Sequence, residues 1–170
     1  MRNRLSLLIA LAAAPQAGCV ASAPFARTTH AAAGLPSTRV TTLDGSATEL
    51  RAILRGRVAL VSLWATWCDA CRSEIEALKR LQEQAGSRGD AIVVGVAVGE
   101  RRETVATFAR ERRLAYTQLV DEDFGFADAL GEPRVPATLV VDRDGHIVFR
   151  GGALDAAGLA AFRSALGNAQ

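Results

Sequence analysis

The chain has 170 residues, of which 49% are hydrophobic and 22% are charged, a composition typical of a globular domain with one core. The formal net charge is +2, and Arg2 and Arg4, which lie in a predicted export signal, account for the excess. Because the rest of the chain has no surplus of either sign, the sequence argues against nucleic acid or an acidic lipid surface as its partner.

Residues 1–18 are predicted to be a signal peptide of the lipoprotein type. Arg2 and Arg4 precede a short apolar stretch, residues 5–14, that is too short to span a bilayer as a permanent helix. Residues 16–19 resemble a bacterial lipobox ending at Cys19, although Gln16 stands where an aliphatic residue is usual. Lipidation of Cys19 would also give the third cysteine of an exported chain a use. The alternative is cleavage after residues 21–23, which Pro24 disfavours.

Residues 19–36 are predicted to be the lipid attachment site and a flexible linker, because small and polar residues dominate there without apolar periodicity. Residues 37–170 are predicted to form one domain. It begins with two short strands, residues 38–43 and 46–50, around the turn Asp44-Gly45, which is typical of a β-hairpin. A helical turn over residues 50–54 is expected to end at Gly56.

A Cys-x-x-Cys motif, Cys68 to Cys71, follows the apolar run 58–63. That run predicts a buried strand, and apolar residues recur at helical spacing behind the motif. Cys68 is therefore expected at a helix N-terminus, where the free N–H groups and the dipole lower the pKa of a thiol. The spacing predicts that Cys68 attacks as a thiolate and that Cys71, about one turn further on, closes a switchable disulfide with it.

Two cysteines at this spacing also occur as half of a zinc site or as inert core residues. A tetrahedral zinc site usually needs four ligands. The other candidates are Cys19, His30 and His146, and none of them belongs to a second pair with ligand spacing. Redox chemistry is therefore favoured over metal binding, and no cofactor is expected beyond the dithiol itself.

The rest of the domain alternates strands and helices. The uninterrupted apolar run 91–98 predicts a strand buried on both faces, parallel to residues 58–63 and joined to them by a helix over residues 69–84. The further predicted elements are a helix over 102–113, a strand over 116–120, a short helix over 124–130, strands over 137–141 and 147–149, and a last helix capped by Asp155. This order predicts an α/β fold with helices on both faces of a sheet.

Several motifs together resemble the thioredoxin-like superfamily, in particular the extracytoplasmic thiol-disulfide oxidoreductases of the TlpA and ResA type. They are the segment Leu63–Cys71, Glu74, the segment Arg134–Thr138 and the segment Asp142–Gly145. The resemblance covers about residues 37–166 and implies a thioredoxin fold, a central mixed sheet flanked by helices, with an N-terminal β-hairpin. Two positions depart from the pattern: Ala70 replaces a usual proline, and Ser62 replaces the buried aspartate of thioredoxin.

The resemblance also assigns roles near the dithiol. It implies a cis bond at Val135–Pro136, beside the motif, where the backbone of Val135 would pair with a substrate peptide. Trp67 is expected to form part of an apolar rim. Because the hydroxyl of Ser62 cannot accept a proton near neutral pH, Glu74 is the predicted acceptor of the Cys71 proton. The alternative is that Glu74 only complements the helix dipole.

These residues predict a protein thiol-disulfide oxidoreductase on the periplasmic side of the bacterial envelope, anchored in the membrane by lipid at Cys19. Asp69 opposes a thiolate on Cys68, which favours a reductant of disulfides in exported proteins. The resemblance implies a membrane thiol donor of the DsbD or CcdA type, and apocytochrome c as one substrate class.

Three other functions remain open from the sequence. A disulfide oxidase or isomerase would share every motif and differ in redox potential. A non-enzymatic copper-binding module would need a third ligand besides Cys68 and Cys71, with His30 and His146 as candidates. A peroxidase of the peroxiredoxin type is disfavoured, because the proline and threonine ahead of a lone peroxidatic cysteine are absent.

Overall fold

The computed structural model describes residues 33–132 and 134–167, which form one eight-stranded sheet covered by helices. The predicted signal peptide, Cys19 and His30 lie outside the described residues. The strands are β1 (Ala33–Gly34), β2 (Arg39–Thr42), β3 (Ala47–Glu49), β4 (Val58–Trp64), β5 (Ala91–Val98), β6 (Thr117–Asp121), β7 (Ala137–Val141) and β8 (His146–Gly151). The helices are α1 (Leu50–Leu54), α2 (Asp69–Arg88), α3 (Arg102–Glu111), α4 (Gly125–Leu130) and α5 (Ala156–Gly167).

The sheet is mixed, and its strand order is β1-β8-β7-β4-β5-β6-β2-β3. β4 pairs in parallel with β5, and β5 pairs in parallel with β6, whereas β7 runs antiparallel to β4. β2 and β3 form the predicted antiparallel hairpin at one edge. The predicted thioredoxin fold, with its parallel central pair, is confirmed.

The central strands β4 and β5 are buried along their whole length, which explains why polar and apolar residues do not alternate in their sequences. One face of the sheet packs against α1 and α4 through side chains such as Leu50 and Phe126. The other face carries α2, α3 and α5, with Leu78, Phe108 and Phe162 pointing into it. Helices therefore cover the middle of the sheet on both faces.

The helices begin and end close to the predicted positions. α2 continues to Arg88, beyond the predicted end at residue 84, and stops where Gly89 takes a left-handed backbone with φ 73°. Asp155 caps α5 as predicted, because its Oδ1 accepts a hydrogen bond of 2.9 Å from Gly158 N. None of the helices in the described ranges has both the length and the apolar character that crossing a bilayer requires.

The folded part of the chain begins earlier than the predicted boundary at residue 37. β1 pairs with β8, and Leu35 is only 6% exposed, packed in the core beneath α1 and α4. The prediction that the linker extends to residue 36 is therefore wrong for residues 33–36. A strand of two residues is too short to show an apolar period, and Leu35, which follows it, is a single large apolar residue without a pattern around it.

Candidate active site

The two cysteines lie where the central strand β4 gives way to α2. Cys68 is the N-cap residue of α2 and forms a disulfide with Cys71, their Cα atoms being 5.3 Å apart. The Sγ atom of Cys68 also accepts a hydrogen bond of 3.2 Å from the backbone N–H of Cys71. A sulfur at this position faces the free N–H groups and the positive end of the helix dipole, so the site favours a thiolate on Cys68.

The two tryptophans of the motif occupy different environments. Trp64 is buried in the cluster that contains both cysteines, and its ring packs on Phe108 with centroids 5.5 Å apart. Trp67, the residue before Cys68, is 67% exposed. A large aromatic side chain left in solvent beside a reactive sulfur is available to contact a substrate.

The Val135–Pro136 bond is cis in the structure, the geometry that the resemblance implies. It immediately precedes β7, whose Ala137 pairs with Leu63 near the end of β4 that leads to the motif. Val135 packs against the cluster of Trp64, Cys68 and Cys71. The dithiol and the cis bond therefore lie at the same end of the sheet.

An open cavity of about 240 Å³ lies beside the dithiol. Its walls are the side chains of Trp67, Val98, Phe124, Arg134 and Val135. Both Trp67 and Phe124 are exposed, so the cavity presents two aromatic faces to solvent. Its dimensions and lining suit one apolar side chain of a bound peptide.

Sequence reasoning did not identify Phe124 as part of this cavity. The residue has a left-handed backbone, φ 59°, at the N-cap of α4. Its ring lies over Gly99, where a Cβ atom would come within 2.1 Å of it. The buried carboxylate of Asp121 holds the turn by accepting hydrogen bonds from Phe126 N and Ala127 N at 3.0 and 2.9 Å. Only the helix start at residue 124 gave a signal in the sequence.

Glu100 is a second residue that the sequence did not single out. Its carboxylate accepts a hydrogen bond of 2.7 Å from the backbone N–H of Thr66, and another from the Thr66 hydroxyl. Thr66 lies two residues before Cys68, so this contact ties the loop that carries Trp67 and Cys68 to the end of β5. The contact also places a carboxylate on the loop two residues before the attacking cysteine.

Asp69, the residue after Cys68, forms an ion pair with Arg72. Arg72 also donates a hydrogen bond of 3.3 Å to the carbonyl of Thr66. Because the guanidinium compensates the charge of Asp69, this carboxylate opposes a thiolate on Cys68 less than the sequence alone indicates. The Asp69 side chain is 86% exposed, so solvent also screens its charge from the sulfur.

Glu74 is buried, 8% exposed, one helical turn after Cys71. Its Oε1 accepts a hydrogen bond of 2.7 Å from Leu154 N, and its Oε2 has no hydrogen-bond partner among the described residues. Burial raises the pKa of Glu74 above its ordinary value, and the hydrogen bond from Leu154 offsets part of that rise. A carboxyl group with a raised pKa is suited to accept a proton near neutral pH.

The structure does not bring His146 to the dithiol. His146 begins β8 and follows the turn after Val141, which pairs with Ala59 at the start of β4. The cysteines lie beyond the other end of that strand. His146 therefore does not supply a third ligand for a metal bound by Cys68 and Cys71.

Comparisons with known proteins agree with this geometry. The family model described as Redoxin matches residues 30–156, more than half of the chain. The thiol:disulfide interchange protein DsbE of Pseudomonas fluorescens biotype C is 31% identical over 66% of this chain and 61% of its own length. The thiol-disulfide oxidoreductase ResA of Halalkalibacterium halodurans is 28% identical over 62% of this chain and 59% of its own length.

Among solved structures, a thiol:disulfide interchange protein of the thioredoxin family from Chlorobium tepidum superposes with a TM-score of 0.64. It is 27% identical, and the match covers 78% of this chain and 95% of that protein. The chain spans about three fifths of the length of the curated relatives named above. The predicted membership of the thioredoxin-like superfamily is confirmed, and by the match over residues 30–156 the chain belongs to the Redoxin family.

Proposed function

We propose that the protein is a thiol-disulfide oxidoreductase that reduces disulfides in exported proteins through Cys68 and Cys71. The observation that supports this most is the position of Cys68, which caps α2 while its sulfur accepts a hydrogen bond from Cys71 N–H and forms a disulfide with Cys71. The relatives named DsbE and ResA, whose names describe thiol-disulfide exchange, support the same reaction. The exposed Trp67 and the cavity beside it would receive the substrate.

The reaction divides between the two sulfurs. In the reduced protein the Cys68 thiolate attacks one sulfur of a substrate disulfide, so that a mixed disulfide forms and the other substrate sulfur leaves as a thiolate. Cys71 then loses its proton and attacks Cys68, which restores the Cys68–Cys71 disulfide and releases the second substrate thiolate. Two electrons pass from the dithiol to the substrate.

Glu74 is the proposed acceptor of the Cys71 proton. The two side chains lie on one face of α2, since residues three apart are neighbours on a helix. The partner-free Oε2 and the raised pKa of Glu74 both favour this role over a simple contribution to the helix dipole. Changing Glu74→Gln should slow the resolution step and alter its pH dependence, whereas the initial attack by Cys68 should keep its rate.

The direction of electron transfer follows from the charges around Cys68. Arg72 compensates Asp69, whereas the carboxylate of Glu100 is hydrogen-bonded to the loop before Cys68 and adds a negative charge there. A negative charge there opposes the thiolate, destabilises the reduced form and makes the protein a stronger reductant. Equilibration with glutathione should give a potential nearer to about −270 mV than to about −120 mV. A value near the upper figure would identify an oxidase.

The cell context is proposed from the N-terminal sequence and the relatives. The protein is exported through the signal at residues 1–18, is lipidated at Cys19 and lies on the periplasmic side of the membrane. Its electron donor is a membrane thiol protein of the DsbD or CcdA type, and apocytochrome c is among its substrates. Changing Cys19→Ser should move the protein from the membrane fraction to the soluble exported fraction without loss of thiol activity. A native protein that is already soluble would contradict the anchor.

The decisive experiment is trapping. A Cys71→Ser variant should accumulate mixed disulfides on Cys68 in the expressing cell, and these can be isolated and identified by mass spectrometry. A Cys68→Ser variant is the matched control and should trap little, because Cys71 is more deeply buried. Equal trapping by both variants would contradict the assigned roles, and no trapping by either would contradict thiol exchange.

A further inference from the structure

The core beneath α2 is divided into two apolar clusters. One contains Leu60, Leu78 and Val93, and the other contains Trp64 and the two cysteines. On each strand that crosses this face, the residue between the two clusters is polar or glycine, and on α2 Glu74 lies between them, next to Ile75. We call these residues the polar band: Ser62 on β4, Glu74 on α2, Gly95 on β5, Gln118 on β6 and Thr138 on β7.

The strand register places the sheet members of the polar band in one row. Thr138 pairs with Ser62, Ser62 pairs with Gly95, and Gly95 pairs with Gln118. Paired residues in a sheet point to the same face, so the three side chains in the row face α2. Glu74 lies on the opposite side of this layer, between Cys71 and Leu78 along the helix.

Several polar atoms in and beside the band are buried without partners, although Glu74 Oε1 and Gln118 Nε2 are hydrogen-bonded to the backbone. Five buried side-chain nitrogen and oxygen atoms in the described residues have no hydrogen-bond partner, and all five lie in this region: Ser62 Oγ, Trp64 Nε1, Glu74 Oε2, Gln118 Oε1 and Thr138 Oγ1. Their residues are at most 8% exposed. Each buried unsatisfied group costs about as much as a lost hydrogen bond, and five together would rival the net stability of a whole domain.

Two of these atoms converge over Gly95. A Cβ atom built on Gly95 would lie 2.5 Å from Gln118 Oε1 and 2.8 Å from Trp64 Nε1. Gln118 Oε1 is a hydrogen-bond acceptor and the indole Nε1–H of Trp64 is a donor. The hydroxyl groups of Ser62 and Thr138 can act as either. A mixed set of donors and acceptors of this kind is what an internal water molecule needs, since it makes about three hydrogen bonds.

We propose that the polar band is a binding site for internal water that connects Glu74 Oε2 with Ser62, Thr138, Gln118 and the indole of Trp64. Its link to catalysis rests on the proposed function. The proton that leaves the Cys71 thiol forms an O–H bond on Glu74, and the resulting carboxylic acid donates a hydrogen bond to the neighbouring water. The products of this step are the Cys71 thiolate, which attacks Cys68, and the neutral Glu74 side chain. The proton returns from Glu74 to the Cys71 thiolate when the disulfide is next reduced.

The water itself is the probe in the first test. The chain has two tryptophans, so a ¹⁵N-labelled sample gives two indole N–H signals. In the oxidised protein we expect the Trp64 N–H signal to show cross-peaks with water in both NOE and ROE spectra. The two cross-peaks should have opposite signs, which is the signature of a long-lived internal water molecule. The exposed indole of Trp67 is the internal reference for surface water. A Trp64 N–H without any water contact would overturn the proposal.

The second test uses stability. Changing Gln118→Leu replaces the amide with an apolar side chain of similar size. In a dry band this change would remove an unsatisfied acceptor together with the hydrogen bond of 3.2 Å that the Gln118 amide donates to Tyr116 O, so the two effects would offset each other in the melting temperature. In a hydrated band it removes a partner of the water, so we expect a lower melting temperature and a weaker water signal at Trp64. Gln84→Leu, on the exposed side of α2, is the matched control. An unchanged or higher melting temperature for Gln118→Leu would overturn the proposal.

The third test separates the water site from the redox function. The variant with Ser62→Ala and Thr138→Val keeps the shape of the row but loses both hydroxyl groups. We expect resolution of a preformed mixed disulfide by Cys71 to slow by about tenfold or more, with the attack of Cys68 unchanged. An unchanged resolution rate would overturn the connection to Glu74. The NOE and melting measurements do not depend on thiol exchange, so a failure of the proposed function would leave them interpretable.

Discussion

At the scale of single residues, Glu74 allows a test that is independent of catalysis. Burial raises its pKa, so the folded protein holds this proton more tightly than the unfolded chain. The resulting stabilisation is full below the ordinary pKa and is lost as the pH rises through the raised value. We therefore expect the free energy of unfolding of the native protein to fall relative to that of Glu74→Gln across this interval.

Urea unfolding between about pH 4 and about pH 8 measures this difference. Glu83→Gln, an exposed position on α2, controls for adding an amide to the same helix. If the free energies of unfolding of the native protein and of Glu74→Gln change in parallel over this whole pH range, the pKa of the Glu74 carboxyl group is not raised by folding. Such a result would remove the electrostatic basis for its proposed proton role.

Phe124 supports a prediction on substrate preference. Its left-handed backbone is unusual for a bulky residue, whereas asparagine adopts that conformation readily. Changing Phe124→Asn should therefore leave the fold intact and remove one aromatic wall of the cavity. We expect kcat/KM to fall by about tenfold for disulfide peptides with a large apolar residue next to the cysteine. Peptides with serine there should be unaffected, and an equal loss on both would contradict a specificity role.

At the scale of elements, the contact between Glu100 and Thr66 joins the loop before α2 to the end of β5. Two hydrogen bonds to a carboxylate hold the backbone and the hydroxyl of Thr66. Changing Glu100→Ala leaves these donors without their partner, so we expect a loss of about 1–3 kcal/mol in the free energy of unfolding. Hydrogen exchange at the Thr66 amide should become faster, as the loop opens locally.

Glu103→Ala is the control for this change. Glu103 makes only exposed ion pairs with Arg101 and Arg102 at the start of α3, and such pairs contribute little. Its loss should change the free energy of unfolding by no more than about 0.5 kcal/mol. Equal effects of the two variants would mean that the Glu100 contact does not hold the loop.

The elements also show why much of this site could be predicted from sequence. Local patterns of apolar and turn residues predict the start of α2 just after Cys68, the parallel pair of β4 and β5, and the turn before β8. The role of Val135–Pro136 came from resemblance alone. Glu100 carries no local signal, because it binds a backbone group of Thr66 that only the fold brings near. Asp121 binds backbone groups five and six residues further on, but the turn between them has no apolar period that would reveal the contact. Such contacts between loops cannot be read from periodicity.

At the scale of the whole molecule, the polar band is the feature that sequence reasoning overlooked most. Ser62 interrupts the apolar strand β4 and stands out in the sequence only as a departure from thioredoxin, whereas Gln118 lies near the start of β6, which has polar residues at both ends. Their common row appears only when β4, β5, β6 and β7 are aligned in register. A single buried polar residue is a local detail, whereas a row of them across a sheet is a property of the topology.

The last prediction concerns the start of the domain. β1 pairs with β8, and Leu35 fills a position in the core on the face opposite α2, while its N–H donates a hydrogen bond of 3.2 Å to Gly145 O. A chain that starts at residue 37 loses these contacts, and a chain that starts at residue 33 keeps them. Since a large apolar side chain lost from a core costs about 2–5 kcal/mol, we expect the shorter chain to be less stable by that amount.

Urea unfolding of the two chains measures the difference, and Leu35→Ala in the longer chain should reproduce most of it. The dithiol lies at the other end of β4 from the turn before β8, so alkylation of Cys68 in the reduced protein should proceed at the same rate in both chains. Equal unfolding midpoints would mean that residues 33–36 behave as part of the linker. A changed alkylation rate would mean instead that β1 supports the active site across the full length of the sheet.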